Sequence, residues 1–328
     1  MKLEMKNILV TGGSGFLGGY LLYKLTALGY KPTAIKRTSS NLTFIKKIFS
    51  KKKQTKLFNN IKWVDCDLHD IVNLKKNINE NDVVFHCAGC VSFNKNDVHK
   101  IYKTNYVGTK NLINICLEKS ILKFCHVSSI ATMANNNKTI NENNWFSQSN
   151  ENKHYAISKH FGEMEVWRGF AEGLKGFIVN PSLIIGPEDT TSLFGKMIPI
   201  IKKSTFFFPN GGTGFVDVRD VANILIKLSE KNANHMRYII NSENLSFKKV
   251  LYLFAKKTNG IKPRFKINNT VIKFFILINI LTNPYNKLSL NMIDFFKSNS
   301  KYSNDKIKKE LSYKFISVEQ SIIDILSI

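Results

Sequence analysis

Near the N-terminus the hydrophobic residues change from a continuous run to a helical spacing. Residues 8–11 (Ile-Leu-Val-Thr) are a short apolar run, which predicts a buried strand. Beyond a glycine-rich stretch, four leucines recur at the spacing of one helix face: Leu21, Leu22, Leu25 and Leu28. This pattern predicts a strand, a tight turn and an amphipathic helix, in that order.

Four more apolar runs follow, at residues 32–35, 61–68, 82–89 and 123–127. Strands that alternate with helices along the chain are typical of an α/β fold with a doubly wound parallel sheet. The length of 328 residues and the hydrophobic content of 43% are sufficient for such a domain and a smaller companion.

The glycine-rich stretch has the spacing G-x-x-G-x-x-G, from Gly12 through Gly15 to Gly18. Gly12 and Gly15 let the backbone approach a pyrophosphate, and the helix N-terminus at Phe16 and Leu17 supplies N–H groups and a favourable dipole. Gly18 lets the helix pack closely on the strand. Because strand, glycines and helix occur together, the sequence predicts a dinucleotide-binding turn.

The residues after the predicted second strand, Lys36-Arg37-Thr38-Ser39-Ser40, indicate which dinucleotide binds. Enzymes that use NAD usually place a carboxylate there for the ribose 2′-hydroxyl, whereas a cation and hydroxyls suit the additional 2′-phosphate of NADP. We therefore expect NADP(H), with Arg37 as the phosphate ligand. The alternatives are that NAD(H) is used, and that Arg37 only reflects the basic composition of the chain.

Two further strand ends lie where a doubly wound sheet faces the adenosine. Asp67 and Leu68 end the third predicted strand, and the Asp67 carboxylate is suited to accept a hydrogen bond from the adenine amino group. Ala88 and Gly89 end the fourth, and their backbone is expected to pass close to the ribose.

Tyr155 stands four residues before Lys159 in a segment with helical spacing, so that a phenol and an ammonium share one helix face. A free phenol has a pKa of about 10, but an adjacent ammonium and a positive nicotinamide ring favour the phenolate. The pair is therefore suited to pass a proton to or from a substrate oxygen. The alternative is a solvent-exposed helix face without catalytic function.

The formal charge of +24 arises from 43 lysines and only 5 arginines, in a chain rich in Asn, Ile and Phe. AT-rich coding produces this bias without selection for a partner, and the arginine forks and interleaved aromatic residues of nucleic-acid recognition do not cluster here. We therefore expect no specific nucleic-acid partner. The densest lysine run, at residues 46–56, is expected to form a solvated helical insertion.

The five cysteines provide no framework for disulfides or a metal site. Most fall in predicted buried elements, and the C-x-x-C spacing of Cys87 and Cys90 has no second Cys or His pair at zinc spacing. Residues 1–6 lead directly into the first strand without an apolar signal segment. We expect a cytoplasmic protein without a metal ion or a transmembrane segment.

Several motifs, in this order and spacing, resemble the extended short-chain dehydrogenase/reductase superfamily, also called the NAD-dependent epimerase/dehydratase family. They are Thr11 to Gly18, Asp67-Leu68, Val127-Ser128-Ser129, Tyr155-x-x-x-Lys159, Asn180-Pro181-Ser182 with Gly186-Pro187, and Phe215-Val216-Asp217-Val218-Arg219-Asp220-Val221. The match runs to about residue 250 and is most similar to the dihydroflavonol-reductase-like and hydroxysteroid-dehydrogenase-like branch.

The resemblance implies a Rossmann domain and a smaller C-terminal α/β substrate domain. The first comprises residues 1–185, with about 215–240 returning to it, and the second comprises about 186–214 and 241–328. The partner is then a small-molecule substrate, and a homodimer is kept as an alternative to a single chain.

The resemblance also assigns roles to residues. It implies that Ser129, Tyr155 and Lys159 are the catalytic triad and that Asn105 supports the lysine through water. In this arrangement Ser129 hydrogen-bonds the substrate oxygen as charge develops on it, and Lys159 also holds the nicotinamide ribose. The segment Pro181-Ser182-Leu183 is implied to border the nicotinamide.

Two departures from the family pattern narrow the activity. Sugar-nucleotide dehydratases carry an acid pair just after the catalytic serine or threonine, where this chain has Ile130-Ala131-Thr132. Sugar-nucleotide epimerases usually have an aromatic-glycine pair slightly further on, where this chain has Met133-Ala134. We therefore expect an NAD(P)(H)-dependent oxidoreductase that reduces a carbonyl or oxidises a secondary alcohol on a small or apolar substrate. The alternatives are a nucleotide-sugar epimerase acting through a keto intermediate and a non-catalytic dinucleotide sensor.

Beyond about residue 190 the patterns are weaker. The loop at 204–212 carries three consecutive phenylalanines, which suit a core or the lining of a substrate pocket. The segment at 271–281 is apolar but too short and too interrupted to span a bilayer. It is expected to cap an apolar pocket, with weak contact to a membrane surface as the alternative.

Overall fold

The computed structural model describes residues 7–92, 94–133, 139–146, 154–190, 192–203, 206–231, 233–267 and 296–327. The strands in these ranges are β1 (Asn7–Thr11), β2 (Thr33–Lys36), β3 (Lys62–Asp65), β4 (Asp82–His86), β5 (Lys123–Val127), β6 (Gly176–Pro181), β7 (Leu183–Ile185), β8 (Phe207–Phe208), β9 (Gly212–Asp217), β10 (Met236–Ile240), β11 (Glu243–Ser246) and β12 (Phe265–Lys266). The helices are α1 (Phe16–Ala27), α2 (Thr43–Lys51), α3 (Ile71–Asn77), α4 (Val98–Tyr102), α5 (Gly108–Glu118), α6 (His154–Ala171), α7 (Leu193–Lys203), α8 (Val218–Ser229), α9 (Phe247–Thr258), α10 (Asp305–Leu311) and α11 (Val318–Leu326). A π-helical turn (Lys103–Val107) joins α4 to α5.

Seven strands form one sheet in the order β10-β6-β5-β4-β1-β2-β3, and every neighbouring pair is parallel. The chain reverses its direction of progress across the sheet between β1 and β4, which is where ligands of doubly wound sheets bind. The predicted doubly wound parallel sheet is therefore confirmed.

The central strands are buried on both faces, as parallel strands require when helices cover both sides. In β1, Val10 packs in one core with α1 and α8, whereas Leu9 packs in the other with residues of α5 and α6. The adjacent β4 alternates in the same way, with Phe85 on the first side and Val84 on the second. The sheet thus holds its loops against two packed layers.

A second sheet of three strands, in the order β11-β9-β7, has its own core. This core contains Ile185 and Phe215 from the sheet, Phe254 from α9 and Ile322 from α11. The short strands β8 and β12 pair beside it, and Phe207 there is 50% exposed rather than lining a core. The predicted apolar segment 271–281 lies outside the described residues.

Three local predictions differ from the structure. The fourth strand ends at His86, so that Ala88 and Gly89 lie in the loop after it. The third strand ends at Asp65 rather than at residue 68, because the Asp67 carboxylate accepts a hydrogen bond from the backbone N–H of His69 and closes a turn. The lysine-rich segment begins in a helix and its lysines are exposed, as predicted, but α2 also packs into the core, where it buries Phe44, Ile45, Ile48 and Phe49. Its Lys47 and Lys51 form ion pairs with the buried carboxylate of Glu188, at 2.7 Å and 2.9 Å.

Candidate active site

In the turn between β1 and α1, two glycines lie so close to neighbouring backbone atoms that there is no room for a side chain. Gly12 has a φ of +70°, and a Cβ there would lie 2.5 Å from the backbone nitrogen of Ala88. A Cβ on Gly18 would lie 2.2 Å from the carbonyl oxygen of Gly12. Gly15 closes the turn by donating its N–H to that oxygen at 2.9 Å, and α1 begins at the next residue. The N–H groups of the first helical turn, including those of Phe16 and Leu17, have no intrahelical acceptors, which is the arrangement that binds a pyrophosphate.

A buried histidine joins this turn to α5. In His86, Nδ1 lies 2.7 Å from the hydroxyl of Thr11 and Nε2 lies 2.9 Å from the hydroxyl of Thr109. Burial lowers the pKa of His86 to about 3, so that the ring is neutral at physiological pH. The N–H of Ala88 donates to Thr11 at 3.4 Å, which places the backbone of Ala88 and Gly89 against the glycine turn.

The ends of β2 and β3 carry the residues predicted to contact the adenosine. Lys36 forms an ion pair with Asp65, whereas the neighbouring Arg37 is exposed and has no ion pair within the described ranges. The Asp67 side chain is 48% exposed, and one of its oxygens is engaged in the turn that ends β3. Leu68 is buried beneath the first residue of α5.

Three predicted catalytic residues meet at the end of β5. Ser129 follows β5 at the start of a short 3₁₀ turn, and its side chain shares a hydrogen bond with the Tyr155 hydroxyl. Lys159, one turn further along α6, donates from Nζ to the carbonyl oxygen of Val127 at 2.7 Å. The structure therefore brings a hydroxyl, a phenol and an ammonium group together.

Burial shifts the two titratable members of this group in opposite directions. It raises the pKa of Tyr155, although the hydrogen bond with Ser129 lowers it again in part. It lowers the pKa of Lys159 to about 8, against the raising influence of the Glu163 carboxylate. In the protein alone the phenol is therefore protonated at neutral pH, and Lys159 is the member that titrates closest to it.

Asn105 lies in the π-helical turn and clamps the loop after β4. Its Oδ1 accepts from the backbone N–H of Cys90 at 2.7 Å, and its Nδ2 donates to the carbonyl oxygen of Cys90 at 2.9 Å and to the hydroxyl of Ser158 at 3.0 Å. Asn105 has no direct bond to Lys159, but both side chains lie against Gly89, where a Cβ would be 3.5 Å from Asn105 Oδ1 and 3.6 Å from Lys159 Nζ. Its support of the lysine through water stays a prediction.

The segment Pro181-Ser182-Leu183 carries the chain from the large sheet to the small one. Pro181 ends β6 and Leu183 begins β7, while the Ser182 N–H donates to the carbonyl oxygen of Ile240 at 2.9 Å. The predicted contact of this segment with the nicotinamide stays a prediction.

Comparison with known proteins decides the family. Residues 8–241 match the sequence profile described as the NAD dependent epimerase/dehydratase family. The chain belongs to this family. The predicted resemblance is therefore confirmed, and with it the prediction of an NAD-dependent enzyme.

Relatives of this epimerase/dehydratase-family enzyme include dehydrogenases and reductases. It is 27% identical over 263 residues to sterol-4-alpha-carboxylate 3-dehydrogenase, decarboxylating, from Dictyostelium discoideum, across 75% of this chain and 74% of the relative. It is 28% identical over 261 residues to dihydroflavonol 4-reductase from Arabidopsis thaliana, across 74% and 67% of the two chains.

Solved structures share the fold of the family at lower identity. The crystal structure of gox2253 has a TM-score of 0.80 at 24% identity and covers 98% of this chain and 97% of that one. UDP-glucuronic acid 4-epimerase from Bacillus cereus in complex with NAD has a TM-score of 0.74 at 16% identity, with 98% and 95% covered. These similarities show the Rossmann-like architecture of the family enzyme.

Sequence reasoning missed two charged residues behind the triad. Glu163 and Arg237 form an ion pair in the interior, with side chains that are 1% and 4% exposed. The available signal was the position of Glu163, four residues after Lys159 on the same helix. Nothing in the sequence indicated Arg237 as its partner.

The described part of the family enzyme contains no group of three or more His, Cys, Asp or Glu residues arranged to hold a metal ion. None of the five cysteines, all within the described ranges, forms a disulfide, and burial raises the pKa of Cys87 to about 12. None of the described helices is long and apolar enough to cross a membrane.

Proposed function

We propose that this enzyme is an oxidoreductase that prefers NADP(H) and reduces a ketone, or oxidises a secondary alcohol, on a small or apolar substrate. The observation that carries the proposal is the hydrogen bond between Tyr155 and Ser129 beside the buried ammonium of Lys159. A protein that only binds a dinucleotide has no use for a positioned phenol.

In the proposed reaction Tyr155 moves the proton. It donates its hydroxyl proton to the substrate oxygen during reduction and takes a proton from the alcohol during oxidation. Ser129 hydrogen-bonds the same oxygen while charge develops on it. Lys159 holds its positive charge beside the phenol and binds the ribose, and the bound cofactor supplies or accepts the hydride.

Asn105 has a positioning role in this proposal. It holds the backbone of Cys90, and this loop passes beside the Lys159 ammonium at Gly89. We propose that Asn105 thereby keeps room at the lysine for a water molecule that exchanges protons with solvent.

The substrate lies, in this proposal, between the large sheet and the region formed by residues 186–214 and 241–328, with Pro181-Ser182-Leu183 beside the nicotinamide. The relatives named above act on a sterol carboxylate and a dihydroflavonol. Both names describe ring systems, so we propose a rigid ring that carries a ketone or a secondary alcohol as the substrate class.

The preference for NADP(H) is proposed from the end of β2. Arg37 is exposed and has no ion pair among the described residues, whereas its neighbour Lys36 is neutralised by Asp65. The guanidinium of Arg37 therefore remains open to a 2′-phosphate, for which its planar fork is well suited.

The first experiment identifies the substrate by incubating the protein with NADPH and a metabolite extract. Net loss of NADPH with reduction of one compound supports the proposal. Conversion of a compound to its isomer without net change in NADPH would establish an epimerase instead.

The second experiment replaces the phenol on that substrate. Tyr155→Phe is expected to retain fold and cofactor binding but to lose about 10²-fold or more in kcat. Ser129→Ala should retain more activity, because one hydrogen bond to the developing charge is worth about 2.7–4 kcal/mol. Lys159→Met should lose activity and also bind cofactor more weakly.

Tyr106→Phe, on the neighbouring π-helical turn, is the matched control and should behave as the wild type. Wild-type turnover by Tyr155→Phe would refute the proposed mechanism.

A further inference from the structure

Glu163 collects hydrogen bonds from the residues that surround the catalytic serine. Its Oε2 accepts from the hydroxyl of Ser128 at 2.6 Å, from Nδ2 of Asn180 at 3.0 Å and from the hydroxyl of Thr132 at 3.1 Å. Ser128 and Thr132 stand on either side of Ser129, and Asn180 also donates to the carbonyl oxygen of Ser129 at 3.2 Å. One carboxylate oxygen therefore holds both ends of the turn that carries Ser129.

The other oxygen of Glu163 faces Arg237, which anchors it from β10. The distance between Glu163 Oε1 and Arg237 Nη1 is 3.2 Å. Arg237 also donates to the carbonyl oxygens of Glu142, at 2.9 Å and 2.6 Å, and of Asn144, at 2.8 Å. Its guanidinium carbon lies 4.2 Å from the ring centre of Trp145. The arginine is thus fixed by four interactions in addition to the carboxylate.

A buried ion pair of this kind is poorly explained by stability alone. The cost of removing two charges from water commonly equals or exceeds their attraction, and apolar residues of similar volume are often as stable. A carboxylate in this place does two things that an apolar residue does not. It accepts hydrogen bonds from Ser128 and Thr132 of the serine turn and from Asn180 on β6, and it puts a negative charge one helical turn from Lys159.

We propose that Glu163, anchored by Arg237, is a positioning residue of the active site that orients the serine turn and sustains the positive charge of Lys159. The inference rests on the proposed function for the roles of Ser129 and Lys159. It assigns a task to a buried ion pair that lies behind the serine turn.

The other titratable groups near Lys159 are neutral, so that the negative charge opposite its ammonium group is that of Glu163. Burial keeps the rings of His86 and His126 neutral by lowering the pKa of each, and it keeps the thiol of Cys87 protonated by raising its pKa to about 12. The Tyr155 phenol is also neutral in the protein alone, because burial raises its pKa. Among the described residues, Glu163 is therefore the carboxylate that raises the pKa of Lys159.

The test measures the protonation of Lys159 directly, without a substrate. Trace acetic anhydride acylates the unprotonated amine, and mass spectrometry of the Lys159 peptide yields the rate at each pH. Glu163→Gln keeps the shape and removes the charge, so Lys159 should be acylated about threefold faster at pH 7 than in the wild type. Glu163→Asp restores the charge and should return the rate to the wild-type value.

Two variants make the result specific. Glu165→Gln removes an exposed carboxylate from the same helix, where it pairs with Arg168 at 2.8 Å, and should leave Lys159 unchanged. The double variant Glu163→Gln/Arg237→Met removes both buried charges. It is the substitute if the single variant fails to fold, because it leaves no unpaired charge in the interior. Its Lys159 should also be acylated faster. A lowered melting temperature with an unchanged acylation rate of Lys159 would show a purely structural pair and overturn the proposal.

A second readout separates orientation from charge on the identified substrate. Glu163→Asp keeps the charge but is one methylene too short to hold the serine turn, so kcat should fall about tenfold with an unaltered pH profile. An unchanged kcat in this variant would contradict the orienting role. Since acylation needs no substrate, failure of the proposed function in Tyr155→Phe is distinguishable from failure of this inference.

Discussion

Gly18, after the first strand of the large sheet, and Gly214, in the small sheet, both lack room for a side chain, but the nearest atom is of a different kind at each. At Gly18 an added Cβ would meet the carbonyl oxygen of Gly12 at 2.2 Å, and that backbone is held by the strand and helix on either side. At Gly214 it would meet the amide oxygen of Asn241 at 2.3 Å, which belongs to a side chain. The nearest obstacle is therefore fixed backbone at Gly18 and the end of a side chain at Gly214.

The largest expected effect tests this difference directly. Gly18→Ala should lose about 3 kcal/mol or more of unfolding free energy and lose dinucleotide binding, because the backbone of Gly12 has no room to yield. Gly214→Ala should lose about 1–2 kcal/mol, since Asn241 rotates away and gives up the hydrogen bonds of its Nδ2 to Asn244 and Tyr302. Urea denaturation and NADPH fluorescence measure the two quantities. Equal losses in both variants would remove the contrast.

The buried histidines of the large sheet and the buried Asp220 of α8, which packs on that sheet, should respond to acid in opposite ways. In the large sheet, burial lowers the pKa of His86 to about 3 and holds that of His126 well below its ordinary value. On α8, burial raises the pKa of Asp220 to about 6, where it accepts hydrogen bonds from the Tyr313 hydroxyl and the Ile316 N–H. The unfolded chain gains protons on its histidines below about pH 6.5 that the folded chain does not bind, so stability is lost as the pH falls. The contribution of Asp220 is present at low pH and is lost as the pH rises through about 6.

The loss of stability due to the two histidines should exceed the gain due to Asp220, because two groups act against one. The unfolding free energy is expected to fall by on the order of 2 kcal/mol between about pH 6.5 and pH 5. Asp220→Asn should make the fall steeper, and His126→Phe should make it shallower. Urea unfolding at a series of pH values measures these slopes, and a wild-type stability independent of pH in this range would contradict the assignment.

The smallest expected effect concerns Arg37, a single exposed side chain directly after β2. NADP(H) should bind at least about tenfold more tightly than NAD(H), equivalent to about 1.4 kcal/mol from one charge-assisted contact. Arg37→Ala should abolish the preference, and replacing the exposed Arg264, just before β12, by alanine should preserve it. Thermal shifts with matched concentrations of the two cofactors provide the measurement. Equal shifts in the wild type would refute the role of Arg37.

The same contrast explains how much was predictable. The glycine turn and the five strands from β1 to β5 follow from local patterns, because apolar runs and glycines report backbone geometry within a few residues. The helix with Tyr155 and Lys159 also follows from spacing. The end of β3 was predicted too late, since Asp67 closes a turn with its own side chain, which an apolar pattern does not register.

Other features depend on contacts between distant parts of the chain. Lys47 and Lys51 of α2 pair with Glu188, far along the chain, and Glu163 pairs with Arg237, 74 positions after it. Arg237 reaches Glu163 because β10 lies beside β6 in the sheet, a pairing that no local spacing predicts. In the small sheet the family motif covers only the end of β9, from Phe215 to Asp217. The packing of the rest has no local signal, because side-chain packing of this kind admits many sequences.

The π-helical turn at Lys103–Val107 makes the site sensitive to the length of the chain as well as to its chemistry. A π turn accommodates one residue more than the α-helix on either side of it. Loss of a single residue before Asn105 would restore a continuous helix and turn everything upstream by about 100° relative to α5. Asn105 could then no longer bond to the backbone of Cys90 while Thr109 kept its contact with His86. The length of this segment is therefore as constrained as the identity of its residues, because removing one residue would separate Asn105 from the loop that it holds.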